Sequence, residues 1–308
     1  RWTAERSIAQ IERAAAAGRP FLCWASFHDP HPPYRLSEPW VNMYSPDDML
    51  PGKLTPGEHE KNPIHFRLTQ DPDARKKLNE MFHEDHGIHG FECHVRDADE
   101  IKKDMAVYYG MVSFMDDQIG RMLTRLDELG LTENTLVVFT TDHGHFLGQH
   151  GLVAKGPFHY EDVCKLPFIV RYPRRVPAGE TSAAIQNLVD LPVTFLSAAG
   201  LDVPGRMVGA DQLATWCGGE PARHGTVIEN RHTYRKVHLR TYVNDRYKIT
   251  VYRNGREGEL FDLQEDAGEV NNLWHEPAAQ DVKRDLLCEF LQETMRYEPT
   301  PMPRIAGA

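Results

Sequence analysis

No apolar run in this chain approaches the roughly 18 residues that a membrane-crossing helix needs, so no helical span is expected. No cysteine pair has C-x-x-C spacing either. Cys23, Cys93, Cys164, Cys217 and Cys288 stand far apart, which suits reduced thiols in a cytoplasmic compartment better than a disulfide frame or a zinc knuckle. A chain opening on Arg1 leaves room for an upstream leader, so a periplasmic or secreted location stays open. Positive charge is also short. With 45 acidic against 35 basic residues the net charge is -10, and nucleic acid is not an expected partner, because phosphate backbones need a basic face. Internal repeats and low-complexity tracts are absent.

The 308 residues are 41% hydrophobic, enough for a large core as one domain or as a main domain with an appendage. Thr3 is placed to cap a first helix that Gly18 stops. Phe21 to Phe27 is a continuous apolar run of strand length, as in a sheet covered on both faces. It empties into His28-Asp29-Pro30-His31-Pro32-Pro33-Tyr34, which its prolines hold non-helical. Residues 35–98 read as a long irregular excursion.

Met105, Tyr108, Val112, Met115, Ile119, Met122, Leu126 and Leu129 then recur at helical spacing up to Gly130, with Asp117 facing water. A second buried-type strand, Thr135 to Thr141, runs into Asp142-His143-Gly144, and a third covers Phe168 to Tyr172. Asp190 and Pro192 open a short helix. Buried strands alternating with helices predict an α/β layered fold over residues 1–222. Residues 223–308 change texture, to short alternating strands, an Arg253-Asn254-Gly255 turn and a helix near 279–296. They predict a small C-terminal subdomain of antiparallel sheet plus helix.

The chemistry concentrates where predicted strands end. Asp142 and His143 put a carboxylate and an imidazole side by side at the carboxyl end of a strand, where open α/β sheets bind ligands. Gly144 permits a sharp exit, and Lys155 is near enough in sequence to return its ammonium to an anionic ester. The plain alternative for an Asp-His pair is a satisfied surface loop; the surrounding glycines and the lysine argue against it. His28 and His31 sit in the proline loop, where an imidazole titrating near neutrality suits proton donation or anion binding. His83-Glu84-Asp85-His86 with His89, Cys93 and His94 invites a zinc reading, but lacks the i, i+4 histidine pair of a helical zinc site. It reads better as a solvated loop at a substrate entrance.

The loop Phe27 to Tyr34, the helix segment Tyr108 to Gly120, Thr140-Thr141-Asp142-His143-Gly144, Leu147-Gly148-Gln149-His150-Gly151, Lys155-Gly156-Pro157 and Glu259-Leu260-Phe261-Asp262-Leu263 together resemble the sulfatases, within the alkaline-phosphatase-like hydrolases. That resemblance implies a mixed sheet sandwiched by helices, with the smaller C-terminal subdomain. It implies Asp142 and His143 as divalent-metal ligands, His31 at the sulfate or the leaving group, and Lys155 on a sulfate oxygen. His28 and His150 match less constant positions and either support these groups or are structural.

Two elements of the family pattern are missing from these residues. No cysteine or serine opens a Cys/Ser-x-Pro-x-Arg element, the source of the formylglycine nucleophile, and the early Asp-Asp metal element is absent. The expectation is a chain lacking the upstream segment and inactive alone, or a degenerate relative without a nucleophile. Calcium is the expected ion, as suits a carboxylate-rich site, while His143, standing where many relatives have Asn, moves the preference toward manganese as the alternative. A small sulfate ester is the expected substrate; the same Asp-His pair also resembles phosphonate monoester hydrolases, which keeps phosphonates and phosphodiesters open.

Overall fold

The structure, a computed structural model, describes residues 1–73, 76–77, 93, 96–232 and 237–296. In chain order its main elements are α1 (Trp2–Ala16), α2 (Ala98–Glu128), β1 (Val137–Thr140), β2 (Phe146–Leu147), β3 (Val153–Ala154), β4 (Phe168–Arg171), α3 (Asp190–Ala198), β5 (Gly225–His232), β6 (Val237–Asn244), β7 (Tyr247–Tyr252), β8 (Gly258–Asp262) and α4 (Gln280–Arg296). β1 pairs with β4 and β2 with β3, while β5 to β8 form one sheet in sequential order. No helix among the described residues is long and apolar enough to cross a membrane.

The chain falls into two compact units, each assembled from separated segments. One comprises Arg1–Gly52, Val95–Val138 and Ile169–Ala178; the other comprises Lys53–His94, Phe139–Phe168 and Gly179–Ala308.

In the first unit, α1 begins one residue before the expected cap. Arg1 is its N-cap, without a side-chain bond, and Thr3 lies inside the helix with its hydroxyl turned to the Ser26 carbonyl. The helix ends as expected at Gly18, whose positive φ lets Gly18 N–H reach Ala15 O and Arg19 N–H reach Ala14 O. α2 starts earlier than the apolar spacing indicated, at Asp97, whose carboxylate accepts the Glu100 amide, and it ends on the same paired-carbonyl device at Gly130. Its buried side includes Met105, Ala106, Met111 and Leu126, whereas Val112, expected inside, is exposed. Gly110 is required there: a Cβ would stand 2.4 Å from the Trp40 carbonyl oxygen. The Trp40 ring packs on Phe114, and Tyr44 bonds Ser113 across the same seam. Asp116 and Asp117 both face solvent.

One expected strand does not form. Residues 21–27 run irregularly, with Leu22 80% and Trp24 86% exposed. A strand is fixed by a neighbour that satisfies its amides, and among the described residues this run has no ladder partner.

The second unit contains the four-stranded antiparallel sheet, closer to its sequence expectation. β6 and β7 align Thr241 with Thr250, whose hydroxyls bond at 2.8 Å. Asn254 takes the left-handed conformation in the turn before β8. One face packs Tyr242, Ile249 and Leu260 on Leu286 and Phe290 of α4. A second core gathers Phe66, Phe146, Leu152, Phe158, Tyr160, Val163 and Phe261, so β8 contributes to both. The zinc-like cluster lies outside the described residues apart from Cys93, which is buried and whose thiol burial raises to about 11.

Candidate active site

β1 delivers Asp142 and His143 into a sharp turn. Gly144 makes that turn possible: its amide donates to Val163 O at 2.9 Å, and a Cβ there would stand 1.8 Å from the Asp162 carbonyl oxygen. The Asp142 carboxylate accepts from the His143 amide and the Thr141 hydroxyl, and the side chain is 82% exposed.

The short β2–β3 hairpin returns the chain. Phe146 pairs with Ala154 and Leu147 with Val153, so Lys155 comes back beside the residues that precede β2. Its ammonium donates to His143 Nε2 at 2.7 Å, while His143 Nδ1–H donates to Gly144 O at 2.8 Å. That pair of bonds describes a neutral imidazole with its proton on Nδ1. Asp142 Oδ2 lies 3.5 Å from His143 Nε2. Lys155 and Asp142 therefore both approach His143 Nε2.

His150 is placed differently. It sits buried at the hairpin tip, not beside Asp142, with Nδ1–H donating to Glu58 Oε1 at 3.1 Å and Nε2 3.4 Å from Asp162 Oδ2. Its ring stacks on Tyr160, and its carbonyl oxygen accepts from His59 Nε2 at 3.0 Å. Burial alone would lower its basicity, but the carboxylates of Asp162 and Glu58 outweigh that and raise its pKa to about 9. The imidazole is thus a cation held between two carboxylates. Glu58, His59 and Asp162 were not singled out from the sequence, where each sits in an unremarkable polar stretch and only the fold unites them.

A buried polar layer joins β7 to the segment that precedes Asp162. The ammonium of Lys248 on β7 binds Glu161 and Glu269, each at 2.7 Å, and donates to His159 O at 3.0 Å. His159 bonds the Thr241 hydroxyl and is buried, which lowers its pKa to about 3. Glu259, bonded to the Tyr252 hydroxyl, is raised to about 8, chiefly by burial and then by Glu269.

His28 and His31 lie in the first unit. Both are exposed, with ring centroids 5.2 Å apart, and His31 Nδ1–H donates to Pro32 O at 2.7 Å.

The described residues contain no group of three or more His, Cys, Asp or Glu able to hold a metal ion. Asp142 Oδ2 and His143 Nε2 nevertheless have a separation that suits two donors on one ion at metal-ligand bond lengths of roughly 2.0–2.6 Å. A cation, the Lys155 ammonium, already occupies the Nε2 lone pair. The pair fits as one edge of a coordination shell and needs further donors to complete it.

Comparison with known proteins follows the same lines. The sulfatase family model matches residues 3–201, and the model for the C-terminal part of N-sulphoglucosamine sulphohydrolase matches residues 148–296. The N-acetylglucosamine-6-O-sulfatase of Bacteroides thetaiotaomicron is 34% identical over 62% of this chain and 36% of its own length. The multifunctional alkaline phosphatase superfamily protein PehA of Trinickia caryophylli is 27% identical over 87% of this chain and 54% of its own. Among solved structures, a phosphonate monoester hydrolase from Silicibacter pomeroyi superposes with a TM-score of 0.80 at 22% identity, covering 96% of this chain and 60% of that one. An enzyme in complex with its substrate D-glucosamine-2-N,6-O-disulfate superposes with a TM-score of 0.61 at 28% identity, over 67% of this chain and 44% of that one.

These matches place the chain on the α/β fold of the alkaline-phosphatase-like superfamily, with the four-stranded sheet and its helix as the C-terminal part. The chain belongs to the sulfatase family. It spans about half the length of PehA and about a third of that of the N-acetylglucosamine sulfatase.

Proposed function

We propose that this chain forms part of a metal-dependent sulfuric ester hydrolase acting on a sulfated sugar. The observation that carries this reading is the convergence of Lys155 and His143 on one point beside the Asp142 carboxylate, at the end of β1. An ammonium fixed there neutralises a sulfate oxygen and favours departure of the ester oxygen as negative charge develops on it. The Gly144 carbonyl fixes the His143 tautomer, so the Nε2 lone pair faces the same point.

Asp142 and His143 are the proposed metal ligands. A divalent ion held there, calcium first and manganese second, supplies polarisation of the sulfate oxygens. His31 keeps the role that the resemblance implies, contact with the sulfate or protonation of the departing oxygen, while His28 and His150 keep supporting roles. The sugar part of the proposal is supported by relatives named as N-acetylglucosamine and iduronate sulfatases and by the glucosamine disulfate bound in a solved neighbour.

The nucleophile is the formylglycine of a Cys/Ser-x-Pro-x-Arg element, which these 308 residues do not contain. Residues 1–308 alone are therefore expected to turn over no ester, and turnover by them would refute this assignment. The second reading, a phosphonate monoester hydrolase or phosphodiesterase, draws on the fold match to the Silicibacter pomeroyi enzyme. Assay of the full-length protein with p-nitrophenyl sulfate against a phenyl phosphonate ester separates the two. Faster phosphonate cleavage sinks the sulfatase reading, and cleavage of neither ester favours a non-catalytic relative.

A further inference from the structure

His150 lies at the far end of the hairpin from Asp142, yet its contacts lead back to that residue's turn. Its φ of 56° places a non-glycine residue in the left-handed region, a conformation that persists only when the surroundings hold it. Here they do. Glu58 and Asp162 grip the ring edge from two chain segments, Tyr160 and Phe146 cover its faces and edge, and His59 holds the carbonyl.

Asp162 is the shared member. Its carboxylate faces His150, while its backbone carbonyl closes on Gly144, where there is no room for even one added carbon. The next residue, Val163, accepts the Gly144 amide. Gly144 in turn supplies the carbonyl that fixes the His143 ring. The path from His150 to the reacting groups is thus continuous: imidazolium, Asp162, Gly144, His143, Lys155. Tyr160 adds a parallel tie, since its hydroxyl accepts from Asn62 close to Glu58.

We propose that His150 is a positioning residue that fixes the Asp142–His143–Lys155 constellation by clamping Asp162 against the turn at Gly144. The clamp rests on the sulfatase reading above only in what those three residues are positioned for. Glu58 is its second anchor, bringing the segment after residue 53 into the same assembly. A glutamine at position 150 keeps a single uncharged donor nitrogen and sets an acceptor oxygen beside it, so it cannot bridge two carboxylates from opposite ring nitrogens as an imidazolium does.

The test uses the full-length protein with His150→Gln and Asp162→Asn. Arg223→Met is the control, because it breaks the buried Arg223–Asp190 pair and lowers stability without touching the hairpin. Amide exchange in peptides covering residues 142–147 is expected to accelerate at least tenfold in both clamp variants and to stay unchanged in the control. With p-nitrophenyl sulfate, kcat is expected to fall at least tenfold in His150→Gln but to remain near wild type in Arg223→Met at a matched loss of Tm. On a Lys155→Met background, adding His150→Gln is expected to cost little more, because residues acting as one unit are non-additive.

Unchanged exchange at 142–147, acceleration spread evenly over the chain, or losses that multiply on the Lys155→Met background would each overturn the clamp. Wild-type protein inactive on both sulfate and phosphonate esters sinks the enzyme reading instead. The exchange measurement then decides the clamp by itself.

Discussion

The imidazole of His150 lies flat on the phenol ring of Tyr160, with centroids 3.6 Å apart and planes within 3°. An imidazolium between two carboxylates adds an attractive cation–ring contact to that stack. Because the pKa of His150 in the folded chain, about 9, lies above its ordinary value, folding takes up a proton there. The stability this provides is fully present below about pH 6.5 and disappears as pH rises through 9. Urea titrations between pH 6 and 10 are expected to show an alkaline loss on the order of 3 kcal/mol at most, missing in His150→Gln. An identical alkaline slope in the variant would contradict the assignment.

The acid limb has a separate origin. His65 and His159 are buried, and burial lowers both to about 3. Unfolded histidine takes a proton near pH 6.5 while the folded chain does not, so the stability they carry is present above 6.5 and lost as pH falls towards 3. Each is expected to cost about 1.4 kcal/mol per pH unit below 6.5. His159→Gln is expected to flatten that slope in calorimetric scans.

Lys155→Met is expected to lower kcat/KM for a sulfate ester by roughly 100-fold, about 2.7 kcal/mol of transition-state stabilisation, with little change in Tm. Lys155 is only partly buried, so steady-state kinetics with a parallel melting curve isolates the chemical effect.

Gly144→Ala is expected to destabilise by roughly 1–3 kcal/mol or more, since the new methyl meets the Asp162 backbone and not a side chain that can swing away. Chemical denaturation measures the loss. A variant as stable as wild type would mean that the turn opens freely.

Chelation offers a check on the ion. Removal of divalent ions from full-length protein is expected to abolish ester turnover, with calcium or manganese restoring it. Asp142→Asn is expected to raise the ion concentration needed for restoration.

Much of the site was legible because its elements are local. An apolar run ending in Asp142-His143-Gly144, half-buried in the fold, and a lysine placed to return are written in nearby residues, and hairpin register does the rest. The C-terminal strands were legible for the same reason, through alternation and a turn at Asn254. What failed depended on distant partners. Phe21 to Phe27 has the composition of a buried strand, but composition does not specify the neighbour that would make it one. The grip on His150 joins residues 58, 150 and 162, which no periodicity connects. The excursion boundary at 98 fell one residue beyond Asp97, whose role as a cap is visible only once its carboxylate is seen on the Glu100 amide.

Lys248 carries a consequence for any exchange of the C-terminal sheet. Its charge is neutralised by Glu161 and Glu269, so the C-terminal sheet is wired to the segment 159–161 that precedes Asp162. Losing one member strands the others in a buried layer, at a cost of roughly 3–5 kcal/mol. A recombinant exchanging this sheet for that of a distant relative would inherit stranded charges unless positions 161, 248 and 269 travelled together. The segment that carries Glu161 and the C-terminal sheet are therefore tied together in any such exchange.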